Sequence, residues 1–174
     1  IEVRFKHEFE KKEVQLVFDV DAGVNREFRG DSMRIDQVLS NLISNALKFT
    51  QKGEVRIVAK AERIMDKRVA VNFKVTDTGI GIPDSKKDII FESFTQADNA
   101  TTRKYGGTGL GLAISKKIIN LYNGVLKVTD NDPTGSCFAF TIQLPYYESS
   151  ESKTVNQNNH TAVYDLAGLR VLIA

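Results

Sequence analysis

The chain has 174 residues, 41% of them hydrophobic, and is long enough for one domain with a substantial core. A formal net charge of +2 with 26% charged residues does not show the strongly basic balance of a nucleic-acid-binding protein. It also gives no polybasic segment for a membrane surface. The single cysteine, Cys137, stands in an alternating apolar run, which predicts a small core residue in a reducing compartment and excludes a disulfide frame or metal cluster. The sequence has no apolar run long enough to span a bilayer and no signal-peptide profile at its start.

The first part of the chain predicts a short helix, a strand and a long helix. The apolar positions of residues 1–12 fit both helical spacing and alternation, and we favour the helix. Residues 14–20 alternate and predict a strand. A long amphipathic helix follows, capped by Asp31 or Ser32 and ending near Thr50. Its apolar stripe consists of Ile35, Val38, Leu39, Leu42, Ile43, Ala46 and Leu47.

The middle of the chain predicts two neighbouring strands and a glycine-rich loop. Residues 54–61 and 68–76 both alternate and are joined by a charged connection. The second strand delivers one carboxylate and then breaks into the sequence Asp77-Thr78-Gly79-Ile80-Gly81-Ile82-Pro83. Because glycine has no side chain, this arrangement presents a fixed acceptor beside backbone that a flat ligand can approach closely. A polar loop with an incidental Asp is the alternative.

The next part of the chain predicts a long loop and a second helix. Residues 84–94 could hold a short helix carrying Ile89, Ile90 and Phe91. Residues 95–108 are almost wholly polar without periodicity, which predicts a mobile loop. The second helix starts near Leu110, is closed by Asn123-Gly124 and has the apolar positions Leu110, Ile114, Ile118 and Leu121.

The end of the chain predicts two strands, a linker and a further strand. Residues 125–129 and 137–144 read as strands, the second ended by Pro145. Residues 148–160 are rich in Ser, Asn, Gln and charge and predict a solvated linker. Residues 166–174 are apolar again and predict the opening strand of another domain. The chain lacks an initiator Met and stops inside this run, so we expect an excised piece of a longer protein.

Two features outside the Asp77 loop carry candidate chemistry. On the first helix, which advances about 100° per residue, a polar stripe borders the apolar face and comprises Arg34, Gln37, Asn41, Asn45 and Lys48. Two Asn residues a turn apart need either a structural hydrogen bond or a ligand, and the pattern leaves both open, as it does an ordinary solvated edge. An Asn amide oxygen suits Mg²⁺, and Lys48 could then meet phosphate charge.

The second feature is the stretch Gly106-Gly107-Thr108-Gly109-Leu110-Gly111-Leu112, which runs directly into the second helix. Free backbone N–H groups at such a junction favour an anion. Neither the P-loop pattern nor Gly-x-Gly-x-x-Gly is present. A role in loop flexibility alone does not explain Gly109 and Gly111. We expect both inside the helix, where each glycine lowers helix stability by about 1 kcal/mol relative to Ala. Arg103 and Lys104 could be phosphate contacts or solvated charge.

The order of these motifs resembles the catalytic ATP-binding domain of sensor histidine kinases, in the GHKL or Bergerat-fold superfamily. Residues 41–50 look like the N box, 77–83 the first glycine box, 91–94 the F box and 106–111 the second glycine box. The resemblance covers about residues 14–145. It implies an α+β fold, a two-layer sandwich whose mixed, mostly antiparallel sheet carries helices on one face.

The resemblance also implies a set of residue roles toward ATP and Mg²⁺. Asp77 would accept a hydrogen bond from the adenine amine, Asn45 would hold Mg²⁺, Asn41 would support the phosphate region and Lys48 would contact phosphate. Asn45 and Lys48 would thus be the catalytic pair. The loop 95–108 would be the ATP lid, hinged by Phe91 and Phe94. The remaining implied nucleotide contacts are Gly79, Gly81, Ile82, Phe94, Arg103, Lys104, Gly107, Thr108, Gly109, Leu110 and Gly111.

Asn41 stands where the ATPases of this superfamily have a different residue, and this difference bears on the reaction that the resemblance implies. ATPases of this superfamily carry a Glu four residues before the Mg²⁺-binding Asn, whereas Asn41 cannot act as a base. This favours transfer to a nucleophile from elsewhere over hydrolysis. Neither His7 nor His160 has the context of a phosphoacceptor, so we expect ATP binding without efficient self-phosphorylation.

The domain expectations follow from the same resemblance. Residues 1–13 would end a preceding segment, 14–147 form the catalytic domain, 148–164 a flexible linker and 165–174 the truncated start of a receiver domain of a hybrid kinase. The partners would be a separate phosphoacceptor and dimerisation hairpin and the downstream receiver. We expect the fragment itself to be a cytoplasmic monomer without nucleic-acid partners.

Two rival classes compete with a kinase. One is a degenerate domain that works through partner contacts, which the joint presence of Asn45, Asp77 and the second glycine box argues against. The other is an aspartic protease, because Asp77-Thr78-Gly79 matches that active-site triplet. Such an enzyme needs two facing carboxylates, and the sequence has no second triplet.

Overall fold

The computed structural model of the chain describes residues 1–24, 28–64, 68–94, 109–145 and 171–172. These ranges form a mixed five-stranded sheet with helices packed on one face, so the expected two-layer α+β sandwich is confirmed. The helices are α1 (Glu2–Lys12), α2 (Ser32–Phe49), α3 (Asp84–Lys87) and α4 (Gly111–Leu121), with 3₁₀ turns at Ala22–Val24 and Ile89–Phe91. The strands are β1 (Val14–Val20), β2 (Phe28–Arg29), β3 (Gly53–Ile64), β4 (Arg68–Asp77), β5 (Lys127–Asp130), β6 (Ser136–Pro145) and β7 (Val171–Leu172).

The sheet has the strand order β1-β3-β4-β6-β5. Strand β1 pairs with β3 in parallel, and the other neighbours in this sheet are antiparallel. In this register Asp77 stands opposite Val55 on one side, and Thr76 stands opposite Cys137 on the other. The last residue of the central strand therefore lies where β3 and β6 both begin, which places Asp77 at one end of the sheet.

Helix α2 forms as its sequence predicts. The Asp31 side chain accepts a hydrogen bond from the Arg34 backbone N–H at 3.1 Å and so caps the first turn. The last turn closes where the Thr50 hydroxyl donates to the Ala46 carbonyl at 2.8 Å. The buried residues match the predicted stripe, from Ile35 to Leu47. Helix α2 thus contributes one continuous buried apolar face to the core.

Helix α4 differs from its prediction in which stripe is buried. Ile114 is 38% exposed and Leu121 is 79% exposed, whereas the buried face consists of Ala113, Ser115, Ile118 and Ile119. Gly109 precedes the helix, with a φ of 67°, instead of lying within it. The end is as predicted, because Asn123 adopts a φ of 54° and the Gly124 N–H donates to the Ile119 carbonyl at 3.0 Å.

Three smaller expectations also change. Residues 84–94 form the four-residue α3 and a separate 3₁₀ turn. Strand β5 begins at Lys127, the first residue of this segment that pairs with β6, and not at Val125. Cys137 is only partly buried, since alternation along β6 turns Phe138 and Phe140 toward the helices and Cys137 to the other face of the sheet.

Two findings bear on the ends of the chain. Strand β7 pairs in parallel with β2, through Val171 opposite Phe28 and Leu172 opposite Arg29. The expectation that residues 165–174 open a further domain stays a prediction, and the expected linker lies outside the described residues. Among the helices of the described ranges, none has the length and apolar character needed to cross a membrane.

Candidate functional site

Asp77 is a buried carboxylate with one oxygen held by the backbone. The residue is 5% exposed, and its Oδ1 accepts from the Gly79 N–H at 2.9 Å and the Ser136 N–H at 3.3 Å. Burial raises the pKa of Asp77, and the two backbone hydrogen bonds oppose that rise. Within the described ranges, Oδ2 accepts no hydrogen bond. One oxygen therefore orients the carboxylate, and the other is left for a donor from a ligand.

The turn between β5 and β6 supports Asp77 from behind. The Asn131 side-chain amide donates to the Asp77 carbonyl oxygen at 2.9 Å. Gly135 has a φ of 111°, and a Cβ there would overlap the same carbonyl oxygen. These residues and Ser136 were missed by the sequence prediction, because they lie between the predicted strands 125–129 and 137–144 and outside every candidate motif. The signal available was an Asn and a Gly in the turn that leads into the strand paired with β4.

The first glycine loop packs against the end of α2. A Cβ on Gly79 would lie 2.5 Å from the Phe49 carbonyl oxygen and 2.8 Å from Asp77 Oδ1, so only glycine fits there. Gly81 has a φ of 72°, a conformation that favours glycine. Ile82 is half-buried and packs against the core. The loop thereby joins the predicted flat-ligand end of the site to the helix that carries the polar stripe.

Lys87 forms ion pairs that link the segment after this loop to strand β5. The Lys87 ammonium lies 2.6 Å from Asp84 Oδ1 and 2.6 Å from Asp130 Oδ2, linking α3 to β5. Hydrogen bonds to Asp130 and then to Asp84 raise the pKa of Lys87, and the same contact lowers the pKa of Asp84. Both carboxylates are largely exposed, so this link orients α3 and contributes little stability.

The two Asn residues of the polar stripe on α2 differ in their contacts. Asn41 Nδ2 donates to the Ser115 hydroxyl of α4 at 3.0 Å, and Ser115 is 1% exposed. A Cβ on Gly111 would overlap Asn41 Oδ1, so the start of α4 sits directly on this amide. Asn45, one turn later, is half-buried, and its side chain makes no hydrogen bond to the described part of the chain. Its amide oxygen is therefore available to a ligand.

Lys48 completes the last turn of α2. It is half-buried, and its ammonium lies 5.0 Å from the centroid of the Phe49 ring. Burial lowers the pKa of Lys48. Across the described ranges, the side chains of His, Cys, Asp and Glu form no group of three able to hold a metal ion. A metal at this site would thus need the Asn45 amide and oxygens from the ligand.

The residues expected to hinge the lid have different surroundings. Phe91 packs edge-on against Phe138 with centroids 6.3 Å apart, and the Lys116 ammonium lies 5.4 Å from the Phe91 centroid. Phe94 is 76% exposed and has a φ of 65°. Gly109 and Leu110 lead into Gly111 at the start of α4. The expected contacts Arg103, Lys104, Gly107 and Thr108, with the rest of the loop 95–108, lie outside the described residues.

The fold and this arrangement define a nucleotide-binding domain, and the comparison with protein families agrees. Residues 30–147 match the family described as histidine kinase-, DNA gyrase B-, and HSP90-like ATPase. The chain therefore belongs to this ATPase family, and within it to the catalytic domains of histidine kinases.

Curated relatives are sensor and hybrid kinases. The histidine-protein kinase BarA of Escherichia coli is 35% identical over 138 residues, which are 79% of this chain and 15% of BarA. The autoinducer 2 sensor kinase/phosphatase LuxQ of Vibrio vulnificus is 39% identical over 82% of this chain and 17% of LuxQ. Hybrid kinase K of Dictyostelium discoideum is 38% identical over 94% of this chain and 14% of its own length. The chain thus spans less than a fifth of these relatives.

Solved structures show the same domain. The catalytic domain of histidine kinase ThkA is 31% identical with a TM-score of 0.63, and the match covers 82% of this chain and 88% of that domain. Full-length ShkA, crystallised with AMPPNP, is 28% identical with a TM-score of 0.67 over 84% of this chain and 29% of its own.

Proposed function

We propose that this chain binds Mg²⁺-ATP and transfers the γ-phosphoryl group to a histidine on a separate helical hairpin. The observation that carries the proposal is the buried Asp77 carboxylate, oriented by two backbone N–H groups and with Oδ2 available. An acceptor in this setting suits the exocyclic amine of adenine. Gly79 joins it through Phe49 to the end of α2, where Asn45 and Lys48 lie.

The residues of α2 fit a magnesium-bound triphosphate. Asn45 would hold the metal by its amide oxygen, and Lys48 would contact phosphate oxygens. Asn41 would act indirectly, by holding the start of α4 where Gly109, Leu110 and Gly111 would meet the phosphates. We assign Arg103, Lys104, Gly107 and Thr108 to the same phosphate end. The metal, when bound, supplies charge neutralisation at the transferring phosphoryl group.

Transfer is favoured over hydrolysis by the position of Asn41. An amide cannot take a proton from an attacking water, and this amide is already hydrogen-bonded to Ser115. The described site therefore offers positioning and charge, and the nucleophile must be brought to it. We propose the phosphoacceptor hairpin of the same parent chain as its source, and a downstream receiver domain as the next acceptor. The relatives named as hybrid kinases support that parent architecture.

Calorimetric titration with a non-hydrolysable ATP analogue tests the binding step. Asp77→Asn and Asn45→Ala should each weaken Mg²⁺-dependent binding by about tenfold or more. Asp88→Asn and Asn120→Ala are matched controls on exposed positions and should bind like the wild type. Absence of binding, or binding indifferent to both site variants, would favour a degenerate domain that works through partner contacts.

Radiolabel transfer tests the catalytic step. Label from ATP should reach a separately prepared hairpin bearing a histidine, and only when the chain and the hairpin are both present. Lys48→Met should slow this transfer. Label on His7 of the isolated chain would show that our account of the nucleophile is wrong.

A further inference from the structure

Helix α1 is held against the end of α2 by the side chain of Lys12. The Lys12 ammonium donates to the Leu47 carbonyl at 2.6 Å, the Thr50 carbonyl at 3.2 Å and the Lys48 carbonyl at 3.3 Å. The last carbonyls of a helix lack intrahelical partners, and an ammonium has three donors to offer them. Lys12 therefore fixes, from another helix, the turn in which α2 ends.

The first glycine loop packs on this same turn, at the Phe49 carbonyl. Phe49 lies in the sequence among the three residues whose carbonyls accept from Lys12. A Cβ on Gly79 would lie 2.5 Å from the Phe49 carbonyl oxygen, so the two backbones are in direct contact. The Gly79 N–H in turn donates to Asp77 Oδ1 at 2.9 Å. A continuous series of contacts thus runs from Lys12 through the end of α2 to the Asp77 carboxylate.

The sheet brings the end of α1 to the same place by a second route. Helix α1 ends at Lys12, and Val14, two residues later, stands opposite Gly53 in the pairing of β1 with β3. A Cβ on Gly53 would overlap the Thr78 hydroxyl oxygen. The last turn of α1 and the loop that follows Asp77 therefore lie at the same end of the sheet, independently of the contacts made by the Lys12 side chain.

Helix α1 is itself anchored in the core, so Lys12 has a firm base. Phe5 and Phe9 are buried, and their rings pack edge-on with centroids 6.5 Å apart. Near the start of both helices, the Arg4 guanidinium contacts Asp36 Oδ2 at 2.9 Å. This second basic contact attaches α1 to α2 at the end away from the glycine loop.

We propose that Lys12 is a positioning residue for the adenine end of the site. It holds the end of α2 where the Phe49 carbonyl supports Gly79, and so keeps the Gly79 N–H aligned on the Asp77 carboxylate. The inference rests on the proposed function, because it takes Asp77 as the acceptor of the adenine amine. It adds to that function a residue of a helix that carries no motif of the family resemblance.

Adenosine titration over a series of pH values compares Lys12→Met with the wild type. Lys12→Met should weaken adenosine binding by about threefold or more at neutral pH, because a displaced glycine loop no longer orients the carboxylate. Burial raises the pKa of Asp77, and the hydrogen bond from Gly79 opposes that rise. Weakening this hydrogen bond should therefore move the pH midpoint of adenosine binding upward, which a general loss of stability would not do.

Two controls separate this role from the charge of Lys12 and from the attachment of α1. Lys11→Met removes a charge from the same turn of α1 at an exposed position. Arg4→Met removes the other basic contact between α1 and α2. Neither variant should change adenosine affinity by more than about twofold or move the midpoint. Urea unfolding of each variant identifies conditions in which all of them are folded, and the titrations are made there.

The outcomes separate the two levels of inference. If Lys12→Met binds adenosine as the wild type does, or loses affinity without a change of midpoint, Lys12 has only a structural role and the inference is wrong. The inference also fails if Lys11→Met or Arg4→Met has the same effect. If Asp77→Asn leaves adenosine binding unaffected, the proposed function itself fails. Should Lys12→Met not fold, Lys12→Gln, which has donors but no charge, replaces it under the same criteria.

Discussion

The side-chain amide of Asn131 donates a hydrogen bond to the backbone carbonyl oxygen of Asp77 at 2.9 Å. The turn between β5 and β6 thus holds the backbone of the residue whose carboxylate forms the adenine end of the proposed site. Asn131→Ala leaves that oxygen without its side-chain donor and should lower the free energy of unfolding by about 1–2 kcal/mol. Urea unfolding measures this, and adenosine titration should show weaker binding. Asn72→Ala, which removes a hydrogen bond to Thr141 on an exposed face, is the control and should cost less.

Gly135→Ala should be much more damaging than an ordinary glycine substitution. The new Cβ would overlap the Asp77 carbonyl oxygen, and the φ of 111° is strained for any other residue. We expect a loss of about 3 kcal/mol or more in urea unfolding. Gly30→Ala is the comparison, because its Cβ would meet only the end of the flexible Leu144 side chain at 3.2 Å. It should change stability by less than about 1 kcal/mol. Equal effects would contradict the close approach at Gly135.

Asp77→Asn should weaken adenosine binding without lowering the stability of the fold. The amide oxygen can accept from Gly79 and Ser136 as Oδ1 does, and a neutral group escapes the burial that raises the pKa of Asp77. The variant should therefore be at least as stable as the wild type at neutral pH. Its adenosine affinity should fall by about tenfold or more, because an amide N–H would face the adenine amine. A variant that unfolds more easily would show that the charge itself stabilises the fold.

The pH dependence of Asp77 has a definite sign. Its folded pKa lies above the ordinary value of about 3.9. A raised folded pKa contributes stability that is present below the unfolded pKa and is lost as pH rises through the folded pKa. The stability of the wild type minus that of Asp77→Asn should therefore fall with rising pH across this window. Urea unfolding of both proteins at a series of pH values measures the difference, and a rising difference would contradict the sign.

Adenosine binding should show the opposite trend. Protonation removes the acceptor, so wild-type affinity should decrease as pH falls through the folded pKa of Asp77. Asp77→Asn reports the titration of the ligand alone and serves as the reference. An identical pH profile in both proteins would mean that adenosine does not contact Asp77.

The contact between Gly111 and Asn41 predicts non-additive mutations. Gly111→Ala places a Cβ on the Asn41 amide and should destabilise the protein, although alanine is the better helix former. Asn41→Ala removes that obstacle together with the hydrogen bond to Ser115. The double variant should be more stable than the sum of the single effects by about 1 kcal/mol or more in urea unfolding. Additive losses would place the two residues out of contact.

Periodic features of the sequence predicted the fold well. The apolar stripe of α2 and the alternation of β1, β3 and β4 arise from burial on one face, so they are visible in the sequence and are confirmed in the structure. The buried stripe of α4 was predicted wrongly at Ile114 and Leu121. A short helix rich in apolar residues offers more than one possible face, and its contact with α2 decides which is buried.

The candidate site was predicted in part, for a related reason. Asp77 and its glycines are consecutive, so their pattern is local and readable. Asn131 and Gly135 reach Asp77 only because β4 and β6 pair in one particular register, which no local pattern reveals. The part of the candidate site that could not be predicted from the sequence thus consists of contacts between segments far apart in the chain.

The approach of Gly79 to the Phe49 carbonyl joins the first glycine loop to the helical layer by direct backbone packing. A Cβ at residue 79 would lie 2.5 Å from that carbonyl oxygen and 2.8 Å from Asp77 Oδ1, so the Asp77 carboxylate and the last turn of α2 lie side by side. A shift of the end of α2 would therefore displace the loop that orients Asp77. The absence of a side chain at one position thus couples the carboxylate to the helix that carries Asn45 and Lys48.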